Sequence, residues 1–306
     1  MDYLSQEIRL PQKNIDDFIE KQENILGKGA SGIVYKYHTP SGEKFIIKMI
    51  WDGEWGEYNE FCEDIVWQSR VYEQVNKLER SVKVHGYNHY TDLDGYTYIC
   101  FIMDYHKDYT DCFNYLMDRE KNWSREGKTP YNRKDKYKNN IFFTLDRVKK
   151  LKIIKNIILS LKELHDINII HGDIKTNNII IHPDTCDAKI IDFGATIFTE
   201  SKRIYMETEW EHGTLGYRCP EEEFNSLLGK TSDIYSLAVT IIEIWVGDIW
   251  YSGETFKTCR NEVLRSLRVL EKEEKDMGII LRKCLLMDGK RRPNIQTILD
   301  FIQSYS

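Results

Sequence analysis

Two polar turns, each fastened to a short apolar run, constrain this chain more than any other feature. The first is His171-Gly172-Asp173-Ile174-Lys175-Thr176-Asn177-Asn178, which runs directly into Ile179-Ile180-Ile181. The second is Asp192-Phe193-Gly194, which follows Ile190-Ile191. Short Ile runs bounded by turn residues read as buried strands. Carboxylates and an amide therefore sit on loops at strand ends, where a rigid scaffold can present them. A capped turn also uses Asp and Asn, but turn capping alone does not explain two such turns at this separation.

Length and composition bound the rest. The chain has 306 residues, enough for one large domain or two lobes with a substantial core. Its formal net charge of −6 gives no reason to expect a nucleic acid partner. Mean hydropathy is −0.53, and no apolar run is long enough to span a bilayer, so no membrane partner is expected. The segment Met1–Glu7 lacks the basic and apolar regions of a secretory signal, and Asp2 excludes myristoylation. Seven cysteines are dispersed without C-x-x-C spacing, which argues against zinc and reads as reduced thiols. The expectation is a cytoplasmic protein, inside a host cell if the gene is viral or from an intracellular bacterium.

Along the chain, residues 1–20 read as a polar N-terminal extension. From Ile25 to Ile50 the pattern is strand, Gly-rich turn, strand, turn at Pro40-Ser41-Gly42, strand. Residues 57–79 look helical, with Val71, Tyr72, Val75 and Leu78 on one face. Strands follow at 82–87 and 96–103, then a crossover at 104–107 and a helix from about Tyr109 to Arg119. Residues 119–146, rich in Lys, Arg and Asn, read as an inserted solvated loop. A strongly periodic helix spans 145–166, with Asp146 near its start, and further helices are expected near 231–247, 258–269, 278–287 and 294–304.

Three further motifs stand in order around the two turns. Gly27-Lys28-Gly29-Ala30-Ser31-Gly32-Ile33-Val34 has the form G-x-G-x-x-G-x-V, in which glycines let main-chain amides approach phosphates. Lys48 ends the run Phe45-Ile46-Ile47. Gly213-Thr214-Leu215-Gly216-Tyr217-Arg218-Cys219-Pro220-Glu221 has the form G-T-x-x-Y-x-A-P-E with Cys219 for Ala. Together these resemble the eukaryotic-type protein kinase family. The His-Gly-Asp-Ile-Lys form of the loop is also seen in the vaccinia-related kinase group. The resemblance covers Gly27 to Arg292, nearly the whole chain.

The resemblance implies an α+β, bilobal fold with a small β-rich N-lobe at 21–103 and a larger helical C-lobe at 104–306. It implies a serine/threonine protein kinase that uses ATP and Mg²⁺ on a protein substrate. Asp173 takes the hydroxyl proton, Lys175 and Lys48 offset phosphate charge, and Asn178 and Asp192 hold the metal. Gly27, Gly29, Ser31, Gly32, Val34, Ile46, Lys48, Met103, Asp104, His106 and Ile180 surround the nucleotide. The bulky Ile46 stands where the family usually has Ala, and Met103 is at the gatekeeper position. His171 and Phe193 stack in the hydrophobic spine. Thr214 bonds Asp173 and Lys175, Glu221 pairs with Arg292, and Asp233 accepts main-chain hydrogen bonds from the catalytic loop.

Besides Ile46 and Cys219, the chain departs from the pattern at Gly172 and Gln68. Gly172 replaces the Arg that gathers an activation-loop phosphate, which implies no need for that phosphorylation at Thr196, Thr199, Ser201 or Thr208. Gln68 falls where active kinases place a Glu beside the nucleotide lysine, although Glu60, Glu63 and Asp64 are near. Arg218, in the wall that meets the residue after the target, suggests an acidic residue near the phosphorylated hydroxyl. Two other functions compete. A small-molecule phosphotransferase of the aminoglycoside or choline kinase type shares the His-Gly-Asp loop, and a pseudokinase scaffold would fit Gln68 and Gly172.

Overall fold

The computed structural model describes residues 24–29, 32–39, 41–51, 58–91, 97–117, 145–199, 206–207, 213–247, 249 and 255–305. The expected N-terminal extension, Ser31, the turn near Asp92–Gly95 and nearly all of the 119–146 insert lie outside them. Two compact units divide between Lys107 and Asp108.

The first unit carries a five-stranded antiparallel sheet in the order β1-β2-β3-β5-β4. Its strands are β1 (Ile25–Gly29), β2 (Gly32–His38), β3 (Lys44–Trp51), β4 (Val84–Thr91) and β5 (Thr97–Asp104). Helix α1 (Tyr58–Val75) lies between β3 and β4 in sequence. Directly opposed residues share a face and alternate along each strand. Tyr35, Tyr37, Ile47, Met49, Cys100 and Ile102 thus form one buried apolar cluster. On the other face, Phe101 meets Tyr72 of α1 with ring centroids 4.9 Å apart.

The end of α1 is tied down by side chains that satisfy its last carbonyls. Lys83 Nζ donates to Asn76 O at 2.6 Å and Leu78 O at 2.5 Å, and Ser81 Oγ donates to Val75 O at 2.6 Å. The Asn76 amide bridges to the main chain of Val84 in both directions, at 2.7 and 2.9 Å, and so anchors β4.

In the second unit the expected helix from Tyr109 divides. Thr110–Asp111 forms β6, which pairs with Ile180 and Ile181, and helix α2 occupies only Cys112–Met117. The reason is local: Asp111 Oδ1 accepts Asn114 N–H at 2.7 Å, an N-cap that starts the helix there. Helix α3 (Arg147–Asp166) starts where its sequence indicates, with the Asp146 side chain accepting from Lys149 N–H at 2.8 Å. Short pieces follow: β7 (Ile169–Ile170), β8 (Ile179–Ile181), β9 (Ala188–Ile190) and β10 (Ile197–Phe198). β6, β8 and β9 form one sheet, and β7 pairs with β10.

The remaining helices are α4 (Pro220–Asn225), α5 (Lys230–Val246), α6 (Phe256–Glu273), α7 (Lys275–Cys284) and α8 (Ile295–Tyr305). Four match the expected helices; α4 adds a short turn that the apolar period did not reveal. Every residue of α5 from Ser232 to Trp245 is buried, so protein surrounds this mostly apolar helix and its few polar side chains, such as Asp233 and Glu243, are hydrogen-bonded inside. Lys150 of α3 caps its far end, donating to Trp245 O at 2.9 Å. Ile153, Ile154, Ile157, Ile158 and Leu161 of α3 are fully buried, each contributing about 1.5–3 kcal/mol by transfer from water. The α+β architecture is that of the expected fold: a sheet-rich N-terminal unit and a larger helical C-terminal unit.

Candidate active site

The first turn hangs from a buried carboxylate. Asp233, in the first turn of α5 and 1% exposed, accepts His171 N–H on Oδ2 and Gly172 N–H on Oδ1, both at 2.9 Å. Its Oδ2 is also 2.9 Å from His165 Nε2 of α3. A buried carboxylate needs such donors, and here they hold the loop's main chain onto the central helix. The expected role of Asp233 is thus realised, and His165 is an addition the sequence did not disclose.

Gly172 has φ +79, and a Cβ there would lie 2.4 Å from Ala195 O. Only glycine fits without a main-chain shift. The loop and the segment after Asp192-Phe193-Gly194 are therefore in close approach, and Thr196 Oγ1 donates to His171 O at 3.3 Å. The His171 and Phe193 rings meet edge to face, centroids 5.3 Å apart, as the spine reading anticipated.

Beyond Gly172 the polar side chains converge. Lys175 Nζ lies 2.6 Å from Asp173 Oδ2 and donates to Thr214 Oγ1 at 2.6 Å. Thr214 Oγ1 in turn donates to Asp173 Oδ1 at 2.8 Å. Asn178 Nδ2 donates to Asp173 O at 2.8 Å and to Asp173 Oδ2 at 2.9 Å. Three side chains thus fix the Asp173 carboxylate.

Asp192 sits next along a strand link: Ile191 N–H donates to Asn178 O at 2.9 Å. It has φ +65, a left-handed conformation that Asp tolerates better than most side chains. The donor set suits Mg²⁺. With the Asn178 NH₂ committed to Asp173, its amide oxygen has no hydrogen-bond partner among the described residues, and Asp192 adds carboxylate oxygens. Hard oxygen donors of this kind match a small divalent cation that keeps waters and phosphate oxygens for its other positions.

In the first unit, Val34 and Lys48 are opposed across β2 and β3, and Ile46 and Met103 across β3 and β5. Lys48 is 4% exposed. By alternation these four share one face of the sheet. Asp104 lies opposite Phe45, on the other face, and its Oδ1 is 2.6 Å from His85 Nε2. At the hairpin tip Gly29 opposes Gly32. Gly32 has φ +119 and a Cβ there would lie 2.1 Å from Met49 O, so the fold itself requires glycine. At Gly27 a Cβ would meet nothing within 4 Å. Ile180 is the central residue of β8 in the second unit.

Gln68 does not do what its position suggested. Its Oε1, the only atom that could accept from Lys48, is shielded and has no hydrogen-bond partner among the described residues. The side chains of Glu60, Glu63 and Asp64 lie outside the described residues.

Behind the loop, Glu221 and Arg292 pair as expected, Nη2 to Oε2 at 2.6 Å, with Arg292 also donating to Leu286 O and Thr231 O. Arg218 is already engaged: Nε and Nη2 donate to Gly213 O at 3.3 and 3.2 Å, and Nη1 is 3.5 Å from Glu223. Cys219 is buried, and burial pushes its thiol up to about 11, so it is a packing residue.

Two acids escaped the sequence reading. Glu243 of α5 is buried and accepts Thr176 Oγ1 at 2.9 Å and Tyr217 OH at 2.5 Å. A lone acid in the apolar run Val239–Trp245 was the available signal. Glu222, 8% exposed, has no hydrogen-bond partner for Oε1 among the described residues. Burial pushes its carboxyl up to about 8, with Asp233 and Asp173 adding to the rise and Arg218 and the Cys219 N–H opposing it.

Residues 20–301 match the family described as protein kinase domain. The chain belongs to the protein kinase family. Among relatives of this kinase is cysteine-rich receptor-like protein kinase 36 of Arabidopsis thaliana, 25% identical over 92% of this chain and 40% of the relative. Wall-associated receptor kinase-like 3 of the same plant is 24% identical over 94% and 37%. A G-type lectin S-receptor-like serine/threonine-protein kinase, also from Arabidopsis thaliana, is 27% identical over 72% and 23%. The chain spans less than half the length of each. These relatives correct the expectation of a cytoplasmic location, because all three carry receptor names. No helix among the described residues is long and apolar enough to cross a membrane.

Proposed function

We propose that this kinase transfers the γ-phosphoryl group of ATP to serine or threonine hydroxyls of a protein. The observation that carries the reading is the closed set of Asp173, Lys175, Thr214 and Asn178. A carboxylate whose rotamer is fixed by three neighbours is suited to orient a hydroxyl and take its proton. Lys175, hydrogen-bonded to both Asp173 and Thr214, places a cation beside that point. Lys48, on the sheet face it shares with Val34, Ile46 and Met103, is the second cation for phosphate. Gly27 supports a ligand role for the hairpin, since nothing in the described fold fills the space a side chain would take there. Asn178 and Asp192 would hold Mg²⁺, which when bound neutralises phosphate charge.

Gly172 supports independence from activation-loop phosphorylation. No cation can stand at that position without moving Ala195. Phosphatase treatment is expected to leave the rate unchanged; a large loss restored by rephosphorylation would reject this part.

The central test is γ-phosphate transfer to casein or myelin basic protein by wild type and Asp173→Ala. The expected loss is about 10²- to 10⁴-fold, with phosphoserine or phosphothreonine as product. Equal rates, or phosphotyrosine alone, would sink the reading. One observation favours a second reading: at the position where active kinases place a Glu, the Gln68 oxygen has no hydrogen-bond partner among the described residues. A pseudokinase scaffold would show no Mg²⁺-dependent thermal shift with ATP.

A further inference from the structure

Away from the catalytic loop, the second unit has an open cavity of about 340 Å³ between α6 and the segment following α7. Its walls include Arg260, Arg282 and Arg291, with Leu264 and Met287 as apolar surface and Asp288 as the one acid in the lining. The three guanidinium groups are not equivalent. Arg282 is neutralised by a two-pronged pair with Glu271, Nη2 to Oε1 at 2.6 Å and to Oε2 at 2.7 Å. Arg260 has no carboxylate partner among the described residues. Its Nη2 donates to Leu285 O at 3.2 Å, while its Nε–H is shielded from solvent and has no acceptor among the described residues. Arg291 is exposed and makes no side-chain hydrogen bond or ion pair among the described residues. The Asp288 carboxylate accepts Lys290 N–H at 3.0 Å, capping the turn at 289–291.

The exposed Arg291 guanidinium, whose fork of donors is not engaged among the described residues, matches a carboxylate. Met287, about half exposed, puts an apolar contact beside the two unmatched cations. Apolar surface next to unpaired positive charge selects a ligand that carries an acid and an apolar side chain close together.

We propose that this cavity docks an acidic segment of the protein substrate, with a carboxylate on Arg260 and Arg291 and a neighbouring apolar side chain on Leu264 and Met287. The inference rests on the reading that the chain phosphorylates proteins, and supplies a contact remote from the phosphorylated residue. Recognition there adds affinity for the substrate and leaves the chemical step alone.

The test uses the full chain and a fluorescently labelled peptide, Gly-Ser-Glu-Leu-Asp-Glu-Gly-Ser. Its amide counterpart carries Gln and Asn in place of the acids. Wild type is expected to bind the acidic peptide at least about tenfold more tightly than the amide, consistent with charge-assisted hydrogen bonds. Arg291→Glu, an exposed position whose loss leaves no partner stranded, is expected to abolish that preference, and Arg260→Ala to weaken it. In a kinase assay, a substrate fused to the acidic segment should show a KM raised about tenfold by Arg291→Glu with kcat unchanged, while a substrate lacking the segment is unaffected. Equal binding of both peptides, or full retention of the preference in Arg291→Glu, overturns the docking site. Failure of wild type to phosphorylate any protein would instead defeat the kinase reading, and the binding comparison would still decide whether acidic peptides dock.

Discussion

The loop at 171–178 and the glycine hairpin are both tight turns with signature residues, yet they are held in opposite ways. The loop is closed on itself and on α5: Asp233 fixes its main chain, and Asp173 is surrounded by Lys175, Thr214 and Asn178. The hairpin has one glycine that the fold demands, Gly32, and one in open space, Gly27. A closed turn can be explained from the protein alone. An open one has a residue choice that the described fold does not require, so its reason is sought in a ligand.

The largest expected effect tests the closure of the loop. Asp233→Ala removes the acceptor of two main-chain N–H groups and of His165. Three buried donors are stranded at once, and stability should fall by about 3–5 kcal/mol. Urea unfolding measures it; a loss under about 1 kcal/mol would mean that the loop does not depend on the central helix.

Glu222 sharpens the same contrast, since it is a buried acid beside the loop whose Oε1 has no hydrogen-bond partner among the described residues. Its carboxyl is raised from the ordinary 4.5 to about 8. Between those values the folded chain keeps a proton that the unfolded chain has released. Stability through this group is therefore highest below pH 4.5, falls as pH rises, and levels off above 8. The fall is on the order of 4–5 kcal/mol, and Glu222→Gln should remove it. Unfolding free energies of both proteins across pH 5 to 9 provide the measurement. Parallel curves would show that Glu222 is ionised throughout.

How much of this was legible beforehand follows the same division. The strands of the first unit, α3 and three of the four later helices follow from apolar period, because one face of each is buried; α5 shows instead as a long, mostly apolar run that protein surrounds. The residues of the closed loop were legible because each carries an unusual side chain at a fixed offset. What stayed hidden depends on partners remote in sequence. Nothing near Thr110 announces that it pairs with Ile181, which shortens the helix after it. His165 reads as one more polar position on α3 until Asp233 is brought against it. Gln68 was placed by alignment of an apolar face, which fixes a helical register but not which partner the side chain meets.

Gly32→Ala and Gly27→Ala together decide whether the hairpin is shaped by the fold or by a ligand. At Gly32 the added Cβ meets Met49 O and the main chain has positive φ, so a loss of roughly 2 kcal/mol in stability is expected. At Gly27 the Cβ meets nothing, and alanine restricts the unfolded chain more than glycine does. Stability should then be unchanged or higher by up to about 1 kcal/mol. If main-chain amides approach phosphate at this position, the same methyl group intrudes on the ligand, and the KM for ATP should rise severalfold without loss of fold. Thermal unfolding and ATP titration of the same preparation separate the two. An alanine that leaves both stability and ATP affinity intact would show that Gly27 serves neither fold nor nucleotide, and the phosphate-binding role would then rest on Gly29 and Gly32 alone.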